Sequence, residues 1–164
     1  MTRSAFRSVS AIVLAVSMGL IAACGGSSPS SSQPAAARGL KIAVIAKSST
    51  NPVFLSARTG AEAAAKEITA KTNVPIEVVW MTPPSEDGQV QAQRIAQAVN
   101  EGASAILISC SDAGKVNGAI NDAVARGVEV MTFDSDAPES KRFAFYGVDD
   151  IKTGEAVMDE LAKQ

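Results

Sequence analysis

Val128-Glu129-Val130-Met131-Thr132-Phe133-Asp134-Ser135-Asp136-Ala137-Pro138 is an apolar, β-branched and aromatic run that breaks abruptly into two carboxylates flanking a serine. Such a run reads as a buried strand whose carboxyl end opens onto a polar site. In an open α/β sheet, ligands sit beyond the carboxyl ends of the strands. The stretch is therefore a candidate pocket floor, provided that other strands bring polar groups to the same edge.

Outward from this run the same pattern repeats. Leu40–Ala46 is mostly apolar and β-branched, as expected of a central parallel strand covered on both faces. Pro52 suits a first helical position, Ala-rich helix formers run from about Phe54 to Lys71, and Thr72-Asn73-Val74-Pro75 ends the helix. Ile76–Met81 is a second strand. Ser85 is placed as the N-cap of a second helix, with Glu86 and Asp87 in its first turn and Gly102 at a left-handed C-cap. Between them Val90, Ile95, Ala98 and Val99 recur at helical spacing. Ala105–Ser109 is strand three, Asp112–Arg126 helix three, closed by Gly127, and Val128–Phe133 strand four. Phe143–Val148 is a fifth extended run and Thr153–Lys163 a last helix. Repeated strand–helix alternation predicts right-handed βαβ units and a doubly wound, Rossmann-like parallel sheet of the α/β class.

Every strand of this pattern ends in polar residues. Strand one leads to Lys47, Ser48, Ser49, Thr50 and Asn51, strand two to Thr82, strand three to Ser109, Ser111 and Asp112, and strand four to Asp134, Ser135 and Asp136. The set suits a small polyol: carboxylates accept hydroxyl hydrogen bonds, lysine and asparagine donate to oxygens, and Phe54 offers an aromatic surface to a sugar's C–H face. Loops after strands are polar in any α/β protein, so Ser48, Ser49, Ser109 and Ser111 read as solvated or turn-forming, and Asp112 as a helix cap. Phe54 is open between core and site, and Asp136 between ligand contact and the turn at Ala137-Pro138.

Catalytic readings are thin. The 164 residues contain no histidine, which removes Ser-His-Asp, Cys-His and His-based metal sites from this chain. No G-x-G-x-x-G follows strand one and no G-x-x-x-x-G-K-[ST] exists. An Asp134/Asp136 pair acting on Mg²⁺ or as acid and base is a weak signal, and binding ranks well above catalysis. No cofactor is called for.

The amino terminus carries its own signal. Arg3 and Arg7 form a positive region ahead of the apolar Ala11–Ala23, so residues 1–23 read as a signal peptide. Ile21-Ala22-Ala23-Cys24 resembles the bacterial lipobox, which implies a lipid on Cys24. An ordinary secretory signal or a short buried helix is the alternative. Residues 24–38, rich in Ser, Gly, Pro, Gln and Ala without apolar periodicity, read as a flexible tether and favour the anchor. Two or three acyl chains hold a membrane firmly where one does not. The expected location is extracytoplasmic and lipid-anchored. Loss of residues 1–23 leaves 13 basic and 17 acidic residues, a net charge of about −4, with no basic stripe for nucleic acid. Cys110 then has no thiol partner and reads as a small, partly buried residue.

At this point the motifs resemble a family. Thr82–Val90, Asn100-Glu101-Gly102, Ala123–Val128 and Phe133–Asp136 are similar to sugar-type periplasmic substrate-binding proteins of ABC importers, in the branch with rhamnose- and autoinducer-2-binding members. That resemblance implies ligand contacts at Lys47 and at one or both of Asp134 and Asp136. Asn51-Pro52-Val53-Phe54 looks like the ribose-type first-loop motif, implying Asn51 and Phe54. The ribose-type pattern wants an arginine after the first aspartate, and Ser135 stands there, which removes a bidentate donor. Such proteins have two lobes and run to roughly twice this length. The resemblance thus implies a truncated chain of type I fold: residues 39–145 as the amino-terminal lobe, and residues 146–164 as a hinge strand and the first helix of a missing second lobe.

The expected function is capture of a sugar-like ligand for ABC permease subunits. The alternatives are a sensory lipoprotein presenting ligand to a membrane receptor kinase, and, ranked lower, an extracytoplasmic enzyme using Asp134 and Asp136. A transcription regulator of the same fold is disfavoured, because a signal peptide occupies the place of a DNA-binding head.

Overall fold

Five parallel strands in the order β2-β1-β3-β4-β5 form the sheet of this protein. The computed structural model describes residues 39–164; the residues read as a signal peptide and tether, Cys24 among them, lie outside the described residues. The elements are β1 (Leu40–Ile45), α1 (Pro52–Thr72), β2 (Ile76–Trp80), α2 (Gly88–Asn100), β3 (Ala105–Ile108), α3 (Ala113–Ala125), β4 (Glu129–Phe133), β5 (Ala144–Tyr146) and α4 (Asp150–Leu161). Register is set by pairs such as Val44 with Trp80, Ile45 with Ile108, Ile108 with Thr132 and Phe133 with Tyr146. The doubly wound α/β expectation holds.

Helix boundaries follow their caps. Asn51 accepts the Val53 amide at the head of α1, and Asn73, left-handed at φ 57°, closes it. Helix α2 begins two residues later than Ser85 would place it, because Asp87 rather than Ser85 accepts the Gln89 and Val90 amides. Its first residue must be glycine: a Cβ at Gly88 would lie 2.9 Å from the Cβ of Asp112, the cap of α3. Gly102 and Gly127 adopt φ 78° and 82°, as their places after α2 and α3 predict. Helix α4 starts at Asp150, ahead of the expected Thr153, because Asp149 caps it.

The two faces of the sheet are unequal. Alternate residues Ala43 and Ile45, Ile106 and Ile108, and Val130 pack with Ile95, Ala98, Val116, Ile120 and Ala123 of α2 and α3 into the main core. The opposite face is covered by α1 over β2, and beyond it an apolar groove lies open between Val44, Ala57, Ala61, Leu107, Met131 and Tyr146. Coverage of both faces is therefore complete only on the α2–α3 side. Helix α4 buries none of its residues, and Ile151, Val157, Met158 and Leu161 are exposed.

At the carboxyl ends of β1 and β3 the ladder stops at the Ile45–Ile108 pair and the carbonyls of Ala46 and Ser109 lose their strand partners. Gln91 of α2, fully buried, replaces them: its Nε2 donates to Ala46 O at 3.1 Å and to Ser109 O at 2.7 Å, and its Oε1 accepts the Ser111 amide at 2.8 Å. Gln91→Leu would keep the volume and strand two buried carbonyls and the part-buried Ser111 amide. Urea unfolding should show a loss of about 2–4 kcal/mol relative to wild type.

Candidate functional site

The strand order reverses at β1, which lies between β2 and β3, and the loops leaving β1 and β3 diverge there. Such a switch point forms a crevice at the carboxyl edge of the sheet. Lys47 follows β1, Ser109 follows β3 and Asp134 follows β4. The outer two of these strands are about 9–10 Å apart, yet the three side chains meet. Asp134 Oδ2 accepts Ser109 Oγ at 2.7 Å and lies 3.3 Å from Lys47 Nζ.

Backbone geometry makes this reach possible. Asp134 is left-handed at φ 59°, a conformation that aspartate tolerates better than most residues but at a cost. Its amide donates to Tyr146 O of β5 at 3.0 Å, and the next carbonyl, that of Ser135, accepts the Cys110 amide at 3.1 Å. The chain thus turns at the end of β4 and aims the carboxylate back across β3.

The Lys47–Asp134 pair is weakly committed. The Asp134 side chain is 45% exposed, and an ion pair at that exposure contributes about 0–1 kcal/mol. Among the described residues its Oδ1 accepts no hydrogen bond, and Lys47 Nζ makes no hydrogen bond and pairs only with the Asp134 carboxylate. Together they present a free acceptor and free donors side by side.

Asp136 is a different carboxylate. Its Oδ1 accepts Thr132 Oγ1 at 2.5 Å, the Ala137 amide at 2.7 Å and Arg142 Nε at 2.5 Å, while Oδ2 accepts Arg142 Nη2 at 2.6 Å. The Arg142 fork, helped by Thr132 and the Ala137 amide and opposed by burial, holds this carboxyl below the ordinary carboxylate range. Asp136 was open between ligand and turn; its acceptors are spent within its own loop. The same contacts argue against a shared Asp134/Asp136 metal, and no group of three or more metal-ligating side chains occurs among the described residues.

The remaining expectations divide. Asn51 Oδ1 is engaged by the α1 cap, leaving only its amide donors for a ligand. Phe54 is buried at 5% exposure, so its ring is not an exposed platform for a sugar. Ser109, read as solvated or turn-forming, is fully buried and donates to Asp134. Ser48, given the same reading, is buried and donates to Pro84 O at 3.1 Å, tying the β1 loop to the β2 loop. Cys110 is free and buried, with burial first and the Asp136 charge second pushing its thiol up to about 12, so it carries no thiolate near neutrality. Arg142 and Gln91 were not found from sequence. The distance in sequence between Arg142 and Asp136 carries no motif, and a glutamine on a helix gives no sign of facing inward.

The depressed Asp136 carboxyl has a consequence for acid stability. Its stabilising contribution is present in full above the unfolded-state value near pH 4 and is lost as pH falls through the lower folded-state value. Thermal unfolding of wild type and Asp136→Asn between pH 2 and 7 should show the largest gap in Tm above pH 4, closing as the pH falls below it. A gap that stays constant to pH 2 would contradict this account.

Comparison with known proteins places this edge in context. Residues 42–164 match the family model described as periplasmic binding protein domain. Among curated proteins the chain is similar to the ribose import binding protein of Bacillus subtilis (strain 168), 27% identical over 159 residues that cover 93% of this chain and 50% of that one. Among solved structures it is similar to an ABC transporter solute-binding protein from Burkholderia graminis C4D1M in complex with D-arabinose, with a TM-score of 0.69, 27% identity and coverage of 77% of this chain and 42% of that one. It is likewise similar to XylFII in the XylFII–LytSN complex, with a TM-score of 0.66, 30% identity and coverage of 77% and 44%. The chain therefore spans about half the length of the curated relative. The family is one of solute binders and not of enzymes. With its parallel sheet, its polar carboxyl edge and a family match across nearly all the described residues, this chain belongs to the periplasmic binding protein family.

Proposed function

We propose that this protein is an extracytoplasmic, lipid-anchored solute-binding protein that captures a sugar or sugar-like polyol for an ABC importer. The observation that carries the reading is the meeting of Lys47, Ser109 and Asp134 at the switch point of a periplasmic-binding sheet. A neutral ligand with adjacent hydroxyls matches the paired acceptor and donor without leaving a net charge buried. Charge-assisted hydrogen bonds of this kind contribute about 1.5–3 kcal/mol each, more than the exposed Lys47–Asp134 contact they would replace. Asn51, through its amide donors, is the next candidate contact.

In this reading residues 39–145 form one ligand-binding lobe; the expected hinge strand is not formed beyond Tyr146, where β5 ends, and the following segment with α4 supplies the crossing and the first helix of a second lobe. Three observations support it: the half-length span against the relatives, the exposed apolar residues of α4, and the open groove beside α1. Closure of two lobes would shield the Lys47–Asp134 contacts from water, where they strengthen. Titration calorimetry of the full-length gene product with D-ribose and D-arabinose tests the site. Asp134→Asn and Lys47→Met should each weaken the sugar that binds by at least tenfold with little change in Tm, whereas undiminished affinity in both would remove the site from this edge.

The membrane anchor is part of the same proposal, supported by the lipobox-like residues and the tether after them. Among the described residues no helix is long and apolar enough to cross a membrane. Labelled palmitate should be incorporated by the wild type and not by Cys24→Ser, which should appear in the soluble fraction. A second reading, presentation of ligand to a membrane receptor, is favoured by the similarity to XylFII in complex with LytSN. Neighbouring permease and ATPase genes would favour import, and a neighbouring receptor kinase gene would favour sensing.

A further inference from the structure

The connection from β4 to β5 is unusual in its economy. Parallel strands are ordinarily joined by a crossover of about a dozen residues or more, generally containing a helix. Here residues 134–143 make the whole journey from the carboxyl end of β4 to the amino end of β5 with no helix. The connection opens on the left-handed Asp134 and closes where the Phe143 amide donates to Val130 O at 2.9 Å.

One side-chain contact spans it from near its beginning to its end. Arg142 grips Asp136 through Nε and Nη2, a two-point fork in which both side chains are 21% exposed. Thr132, fully buried on β4, donates to the same carboxylate and anchors the fork to the sheet. A planar guanidinium held at two points fixes orientation as well as distance, which a single ammonium cannot do. Two residues before Asp136 stands Asp134, in a backbone conformation that persists only when its surroundings impose it.

We propose that Arg142 is a positioning residue for ligand capture: by clasping Asp136 it closes the β4–β5 connection and holds Asp134 left-handed, with its carboxylate directed at Lys47 and Ser109. Arg142 sets affinity without touching the ligand. The proposal rests on the reading of Asp134 as a ligand contact.

Two readouts on the full-length gene product separate this role from plain stability and from the site reading itself. The first needs no ligand: amide hydrogen exchange at Asp134, whose N–H donates to Tyr146 O, and at Cys110, whose N–H donates to Ser135 O. The second is the dissociation constant for D-ribose and D-arabinose, measured well below the Tm of each variant. In Arg142→Gln, exchange at both amides should accelerate at least tenfold while the core amides of Ile106 and Ile108 keep their protection. Affinity should fall at least tenfold. Arg142→Lys, which keeps the charge and loses the fork, should lie between wild type and Arg142→Gln in both readouts and provides the series if the glutamine variant does not fold.

In Asp136→Asn/Arg142→Gln the losses should match those of Arg142→Gln alone, because both variants break one clasp. Wild-type protection at Asp134 in any folded Arg142 variant would overturn the proposal, and so would lost protection with unchanged affinity. If wild type and Asp134→Asn both fail to bind either sugar while exchange follows the Arg142 series, the site reading falls and takes the affinity claim with it. The clasp itself would then stand as a structural device.

Discussion

Everything at the carboxyl edge depends on how two neighbouring strands part. Where β1 and β3 end, their loops leave toward different helices, and two buried carbonyls would face each other without donors. An unpaired buried carbonyl is costly enough that such a gap would otherwise close or admit water. Gln91 resolves it with one side chain, since a carboxamide carries two donors and an acceptor on a rigid plane. Its donors hold the two strand ends at a fixed separation, and its acceptor takes the first amide of the β3 loop. The crevice above them is thus held open by a satisfied polar group.

On that base, the two aspartates of the Asp134-Ser135-Asp136 segment do opposite work for a physical reason. Asp136 is half-buried, and both of its oxygens are engaged by Thr132 and Arg142. Asp134 is more exposed and keeps an unused oxygen, so its partners are exchangeable. Composition makes the two residues equivalent. Position along the backbone separates them, because the left-handed turn at Asp134 sends its side chain over β3 while Asp136 stays above its own strand and meets Arg142.

The sheet's unequal faces bear on how the whole protein is built. One face carries a dense core with α2 and α3, and the other is covered by α1 over β2. The open apolar groove beside α1 and the exposed apolar residues of α4 both mark surfaces whose chemistry suits contact with more protein. The chain's match to about half of its curated relative is consistent with that imbalance.

Sequence alone determined the strand–helix alternation, the parallel α/β class and the polarity of the carboxyl edge, because these depend on periodicity and composition within short windows. The glycines after α2 and α3 were legible for the same reason: a left-handed cap is a local demand. The start of α2 was misplaced, because Ser85 and Asp87 are both good caps and only the packed chain shows which carboxylate or hydroxyl meets free amides. Lys47 and Asp134 were marked by their places after strands, but their pairing, and the part of Ser109 in it, required three loops to be brought together by the strand order. The burial of Phe54 and the Asp136–Arg142 fork are visible only in the tertiary structure. Burial of a ring and the meeting of a carboxylate with a guanidinium depend on where the chain returns in space, and no local pattern of residues encodes that.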